Sequence, residues 1–211
     1  MILNKLEFVL MNNPLRRLIQ DKVEMKELWK LSSLPKNNVI LEIGCGSGYG
    51  TSLIKKYFSP QKIEAIDLDP RMIALAKKRL HDPTIHFRVA SATALPFKNY
   101  SYDAIIDFAI IHHIPDWKNC LKELHRVLKP GGKLIIEDLS IETFNQGVGR
   151  IYQKVLDHPY DDMYTPNEFV KHLESLGFRI NSFHAYYPHH LLKYFVVIAE
   201  KYKITPQPLY I

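Results

Sequence analysis

Three glycines, Gly44, Gly46 and Gly48, stand at alternate positions in "LEIGCGSGYG" (residues 41–50), directly after an apolar run. Glycine gives up side-chain packing and costs backbone entropy on folding, so a cluster of them points to a ligand that needs the backbone close by. A strand handing over to a helix at such a turn presents backbone N–H groups to a nucleotide-type ligand. The spacing is G-x-G-x-G. It fails the G-x-G-x-x-G dinucleotide fingerprint, because Tyr49 holds the third glycine position. Glu42 lies two residues before the first glycine. A carboxylate at that strand end would repel a pyrophosphate and suits a ligand carrying positive charge. A second acid, Asp67, ends the next strand-like run about twenty residues on, where such an acid accepts from ribose hydroxyls. Leu68 follows it, placed to lie against the face of a flat base. Further along, "DFAIIHHIPDW" carries two adjacent histidines, His112 and His113, which could act as a base near neutral pH.

These residues need elements to hold them, and the chain alternates strand-like with helix-like segments. Residues 38–43, 62–67, 84–90, 102–110 and 132–139 are short, apolar and β-branched, as in strands buried on both faces of a parallel sheet. Between them "GTSLIKKYF", "PRMIALAKKRL" and "WKNCLKELHRVL" show helical spacing of apolar residues. Pro70 suits a first helical turn, and "KPGG" (129–132) predicts a helix stop and turn. Beyond the fifth strand a helical stretch over about 142–156 leads into the irregular "DHPYDDMYTP". A helix "NEFVKHLESLG" and two strands, "FRINSFHAYY" and "LLKYFVVIAEK", follow. Alternating β and α implies a doubly wound α/β sheet with helices on both faces and a ligand beyond the C-terminal strand ends. Residues 1–37 read as a mostly helical, amphipathic cap, with Asn13 and Pro14 opening a helix that packs on the sheet edge or roofs the cleft.

The composition sets limits. At 211 residues the chain is most simply one domain, 46% hydrophobic and 24% charged. No run is long and apolar enough for a membrane span, and the N-terminus lacks a signal-peptide core. Cys45 and Cys120 make no disulfide framework and no CxxC pair, so no metal site is expected from them, and reduced thiols in a cytoplasm are expected. A net charge of +6 permits an anionic partner, but the basic residues are scattered over helix faces, with no recognisable RNA-binding module. His189 and His190 are adjacent, not at the helical spacing that would aim both at one metal.

The ordered set "VILEIGCGSGYG", "AIDLDPRMI", "VASATALPF", "SYDAIIDFAIIHHIPDW" and "VLKPGGKLIIEDL" resembles the class I S-adenosylmethionine-dependent methyltransferases, of the type 11 kind, over roughly residues 38–139. S-adenosylmethionine has an ammonium, a sulfonium and an adenosine but no phosphate, and so meets the demand that Glu42 makes. The resemblance implies a Rossmann-like seven-stranded sheet, mostly parallel, with the last strand antiparallel. It divides a single 1–211 domain into the 1–37 cap, a 38–139 cofactor-binding core, and a 140–211 lid region with the C-terminal strands. It implies that Glu42, Gly44, Cys45, Gly46 and Gly48 frame the methionine moiety. Asp67 would hold the ribose and Leu68 the adenine, while Asp107 and Phe108 would border the methyl group. The family often has Asp–Ala reading the adenine edge; here the pair is Ser91–Ala92, a neutral and weaker acceptor.

The stretch after the fourth strand lacks an N-P-P-Y-type motif and is similar to the small-molecule branch of C-, N- and O-methyltransferases. It implies in-line methyl transfer to a small-molecule acceptor, with His112 or His113 as base if the acceptor must lose a proton. No obligatory nucleic acid and no membrane span are expected, and the oligomeric state stays open. Tyr152, Tyr160, Tyr164, Tyr186 and Tyr187 could line an aromatic acceptor pocket or pack ordinarily. An RNA or protein methyltransferase and a non-catalytic adenosine-binding module are the alternatives.

Overall fold

The computed structural model describes residues 20–21, 25–187 and 192–202. Most of the 1–37 cap, including Asn13 and Pro14, and the pair His189–His190 lie outside the described residues. The described chain runs α1 (Met25–Ser32), β1 (Val39–Ile43), α2 (Tyr49–Phe58), β2 (Lys62–Asp67), α3 (Pro70–Arg79), β3 (Ile85–Val89) and β4 (Tyr102–Phe108). It continues through a 3₁₀ turn (Ile111–His113), α4 (Trp117–Val127), β5 (Leu128–Asp138), α5 (Ile141–Phe144), α6 (Gly149–Val155), a second 3₁₀ turn (Tyr160–Asp162), α7 (Pro166–Ser175), β6 (Phe178–Tyr186) and β7 (Tyr194–Lys201).

One seven-stranded sheet forms, in the order β3-β2-β1-β4-β5-β7-β6. The first five strands are parallel, and β7 runs antiparallel to both β5 and β6. The reason is visible in β1, β4 and β5. Ile40, Leu41, Ile43, Ile105, Ile106, Leu134, Ile135 and Ile136 are fully buried, so both sheet faces are covered. Burying each such side chain is worth about 1.5–3 kcal/mol. Two apolar layers result, one under α4 and α7 and the other under α1 and α2. The expected doubly wound architecture with an antiparallel last strand is therefore the one observed.

Helix starts follow their caps. Asp69 accepts from the Arg71 N–H at 2.8 Å with Pro70 at the first position of α3, and Asp116 accepts from Asn119 N–H at the start of α4. Two expectations are corrected. The "KPGG" segment is not a turn between α4 and a later strand. Strand β5 already begins at Leu128, and the register against β4 shifts there between Tyr102 and Ala104, so a bulge absorbs Pro130 and the left-handed Gly131. The helical stretch over 142–156 is two short helices, divided where Gly147 takes φ +45°.

Sheet order reverses between β1 and β4, which puts the crevice of a doubly wound sheet beyond their C-terminal ends. α1 packs on α2, β5 and β7.

Candidate active site at the switch point

The glycines after β1 do different work. A side chain at Gly44 would collide with Ile110, and one at Gly48 would meet Ala76 of α3 at 3.0 Å. A side chain at Gly46 would meet nothing within 4 Å. All three have positive φ, between 51° and 80°. Gly44 and Gly48 thus let other elements close in, whereas Gly46 faces open space that a ligand can occupy. Gly46 N–H and Asp69 N–H both donate to the Asp67 carboxylate at 2.8 Å, which ties the glycine turn to the end of β2. Burial raises the Asp67 carboxyl above its ordinary range.

A cleft of about 340 Å³ opens beside this turn. Its walls include Gly44, Asp67, Leu68, Ser91, Ala92, Ile110, His113 and Asp116. Leu68 is 42% exposed, an apolar side chain displayed to the cleft. Ser91 Oγ is 2.8 Å from Thr93 Oγ1. The lining is apolar with a few convergent polar groups, two of them acids, and holds no Lys or Arg among the described residues. Such a lining suits an uncharged nucleoside face and disfavours a phosphate.

Glu42, Cys45 and Phe108 lie behind the turn, not in the cleft wall. Glu42 is 1% exposed and accepts from the Thr51 hydroxyl at 2.5 Å. Desolvation pushes its carboxyl up to about 8 against the Thr51 hydrogen bond, with the Asp67 charge adding to the rise. It sits beneath Gly50, where an added side chain would meet Glu42 Oε1. The same added side chain would meet Phe108 Cδ2 at 3.0 Å.

A buried polar cluster adjoins the cleft across β4 and β5. Ala109 takes φ +58°, an unusual backbone for alanine, and turns the chain from β4 into the 3₁₀ turn that carries both histidines. Asp138, at the end of β5, accepts from His112 Nδ1 at 2.5 Å, His112 N–H at 3.1 Å, Leu139 N–H at 2.7 Å and the Tyr164 hydroxyl at 2.7 Å. With Nδ1–H assigned to this bond, His112 keeps its lone pair at Nε2. Burial and the Asp138 charge hold the Asp107 carboxyl well above the usual range. His158, from the loop after α6, packs its ring 5.3 Å from His112 and 4.4 Å from His113. Burial drives His113 well below the ordinary histidine range and His158 down to about 3. Both are neutral imidazoles at pH 7.

Sequence reading placed Asp67, Leu68, Ser91, Ala92 and Gly44 on the cleft, and His113 joins the cleft to the buried cluster. Asp138, His158 and Ala109 join the site without a sequence signal that marks them. Of the tyrosines proposed for a pocket, Tyr164 is buried on Asp138, Tyr186 donates to Glu137, and Tyr187 is 52% exposed. Tyr152 and Tyr160 pack with Phe144 and Leu139 beside the histidines.

Known proteins resemble this chain in sequence and in fold. Residues 41–136 match a family profile described as a methyltransferase domain. Over 100 residues the chain is 39% identical to the phthiotriol/phenolphthiotriol dimycocerosates methyltransferase of Mycobacterium leprae, covering 47% of this chain and 37% of that protein. It is 29% identical over 145 residues to a probable S-adenosylmethionine-dependent methyltransferase of Mycolicibacterium smegmatis, covering 67% of this chain and 52% of that one. The chain thus spans about 37–52% of the length of these relatives. A solved S-adenosylmethionine-dependent methyltransferase from Aquifex aeolicus shares the fold at TM-score 0.73 with 21% identity, covering 94% of this chain and 99% of that chain. Among the described residues no helix is long and apolar enough to cross a membrane. Residues 41–136 thus match the methyltransferase-domain family, and the chain is similar to S-adenosylmethionine-dependent methyltransferases, whose cofactor is S-adenosyl-L-methionine.

Proposed function

We propose that the protein transfers a methyl group from S-adenosylmethionine to a small-molecule acceptor that loses a proton, an oxygen or sulfur acid or an acidic carbon. One observation carries the reading: His113 lines the cofactor cleft and also belongs to a buried imidazole cluster. The cluster that holds the His112 imidazole therefore adjoins the cleft. Cofactor fit is supported by the open face of Gly46, the carboxylate of Asp67 and a lining that holds no Lys or Arg among the described residues. Asp67 would hold the ribose, Leu68 and Ala92 the adenine, and Gly46 the backbone-facing edge. When bound, S-adenosylmethionine supplies an electrophilic methyl on a sulfonium.

The chain's own part is positioning and proton handling. Asp138 fixes the His112 ring and its tautomer, so Nε2 is the atom that accepts the acceptor's proton. Phe144, Tyr160 and His158 pack ring against ring as an aromatic wall on the cluster. The enclosure favours a small acceptor over an RNA or protein segment, and one relative is named a phthiotriol/phenolphthiotriol dimycocerosates methyltransferase. Two buried free thiols, Cys45 and Cys120, support a reducing cytoplasmic setting.

The test is release of S-adenosylhomocysteine in the presence of pooled hydroxyl- and thiol-bearing metabolites. Acceptor-dependent release is expected. Release that requires RNA or protein instead would contradict the small-molecule reading.

A further inference from the structure

We propose that His112, His113 and His158 form a binding site for one divalent transition-metal ion of the zinc class. Each residue offers one ring nitrogen, and these nitrogens lie within 4.8 Å of one another. A tetrahedral zinc ion with Zn–N bonds of about 2.0–2.1 Å places its nitrogens roughly 3.3 Å apart, so small side-chain rotations close the set.

Three further features mark a built site. First, His112 is oriented from behind by Asp138 at 2.5 Å, a carboxylate–histidine arrangement that aims Nε2 and raises its basicity as a ligand. Asp138 is itself fixed by Tyr164 and two backbone N–H groups. Secondly, Nδ1 of His113 is buried with no hydrogen-bond partner among the described residues, and the residue is only 6% exposed. Native proteins rarely leave a buried polar atom so, and a cation supplies the missing partner. Thirdly, the three rings gather on one another, with centroids 4.1 to 5.3 Å apart, and Phe144 and Tyr160 close the outside. Packing alone does not require three imidazoles to converge.

The donor set names the class of ion. Three nitrogen ligands and no bound carboxylate suit zinc, cobalt, nickel, copper or ferrous iron, whereas magnesium and calcium demand oxygen. Three protein ligands also leave a position open for water or a substrate oxygen. Here the inference rests on the proposed function and deepens it. An acceptor hydroxyl seated on the ion would break its O–H bond, pass the proton to solvent water and keep the electron pair on oxygen. His112 would then act as a ligand instead of as the base.

The experiment uses the full chain, stripped with a chelator, dialysed and titrated with cobalt(II) chloride. Visible d–d absorption saturating at one cobalt per chain, bleached by zinc, is expected. His158→Ala and His112→Ala should each weaken cobalt binding by at least about tenfold, and Asp138→Asn by about 10- to 100-fold, the usual cost of losing an outer-shell partner. S-adenosylhomocysteine affinity, read by calorimetry on the same samples, should stay within a few-fold and reports that the fold is intact. Absence of saturable cobalt absorption, or binding that survives both histidine substitutions in samples that still bind S-adenosylhomocysteine, would overturn the site. Cobalt bound as expected, with methyl transfer only to macromolecules, would contradict the proposed function and leave the site standing.

Discussion

Asp138 Oδ1 lies 2.5 Å from His112 Nδ1, with Asp138 fully buried and His112 3% exposed. The carboxylate comes from the end of β5 and the imidazole from the turn after β4, adjacent parallel strands in register. Whether Nε2 takes a proton or a metal ion, its aim depends on this contact.

Asp138→Asn should therefore lower kcat by at least about tenfold while leaving KM for the cofactor within a few-fold, since a general base contributes about 10²–10⁴-fold. Tyr164→Phe, which removes one of the four donors to Asp138, should cost about 1 kcal/mol of stability and a smaller part of kcat. Steady-state kinetics with denaturant unfolding separates the two effects. Equal kcat in wild type and Asp138→Asn would remove the positioning role.

Asp67 joins the glycine turn to β2 through Gly46 N–H and presents the carboxylate proposed for the ribose. Asp67→Ala should weaken S-adenosylhomocysteine binding by about 1.5–3 kcal/mol, or roughly ten- to a hundredfold. Calorimetry on folded protein checks this, and unchanged affinity would assign the ribose elsewhere.

Gly46 and Gly48 should respond differently to alanine. Gly46→Ala meets open space but sits at φ +51°, so about 1–2 kcal/mol of stability and a larger share of cofactor affinity should be lost. Gly48→Ala presses on Ala76 at 3.0 Å and should chiefly lose stability. Thermal unfolding beside calorimetry distinguishes them; the same ratio of losses at both positions would mean that Gly46 does not face the cofactor.

Glu42 makes stability depend on pH in a stated direction. Its carboxyl titrates at about 8 in the folded protein, above the ordinary 4.5. The folded state then holds a proton that the unfolded state releases, so stability is fullest below pH 4.5 and is lost as pH rises towards 8. The slope from this one group approaches about 1.4 kcal/mol per pH unit within that window. Glu42→Gln should flatten the difference between urea unfolding at pH 6 and pH 8. An identical pH dependence in both proteins would show that Glu42 is ionised in the fold.

The glycine-turn half of the candidate site was legible because its demands are local. Positive φ calls for glycine at Gly44, Gly46 and Gly48, and an acid at a strand end is visible in the strand that it ends. The acceptor half was not. His112 meets Asp138 across 26 residues of chain, and His158 arrives from an irregular loop with no periodicity to place it. The succession of strands and helices along the chain was readable from alternation, whereas "KPGG" carried a turn signal that a β-bulge in β5 overrode. Gly147 similarly broke a helix that apolar spacing alone would have continued. The double role of His113 became visible only once β1 and β4 were side by side.

The measurement that bears most directly on the account follows a labelled methyl group. The protein is incubated with methyl-labelled S-adenosylmethionine and a whole-cell extract, which is then passed through a size-cutoff filter. Label appearing in a discrete small molecule in the filtrate, and lost with Asp67→Ala, is the predicted result. Label retained on RNA or protein, or no transfer despite cofactor binding, would contradict small-molecule methyl transfer.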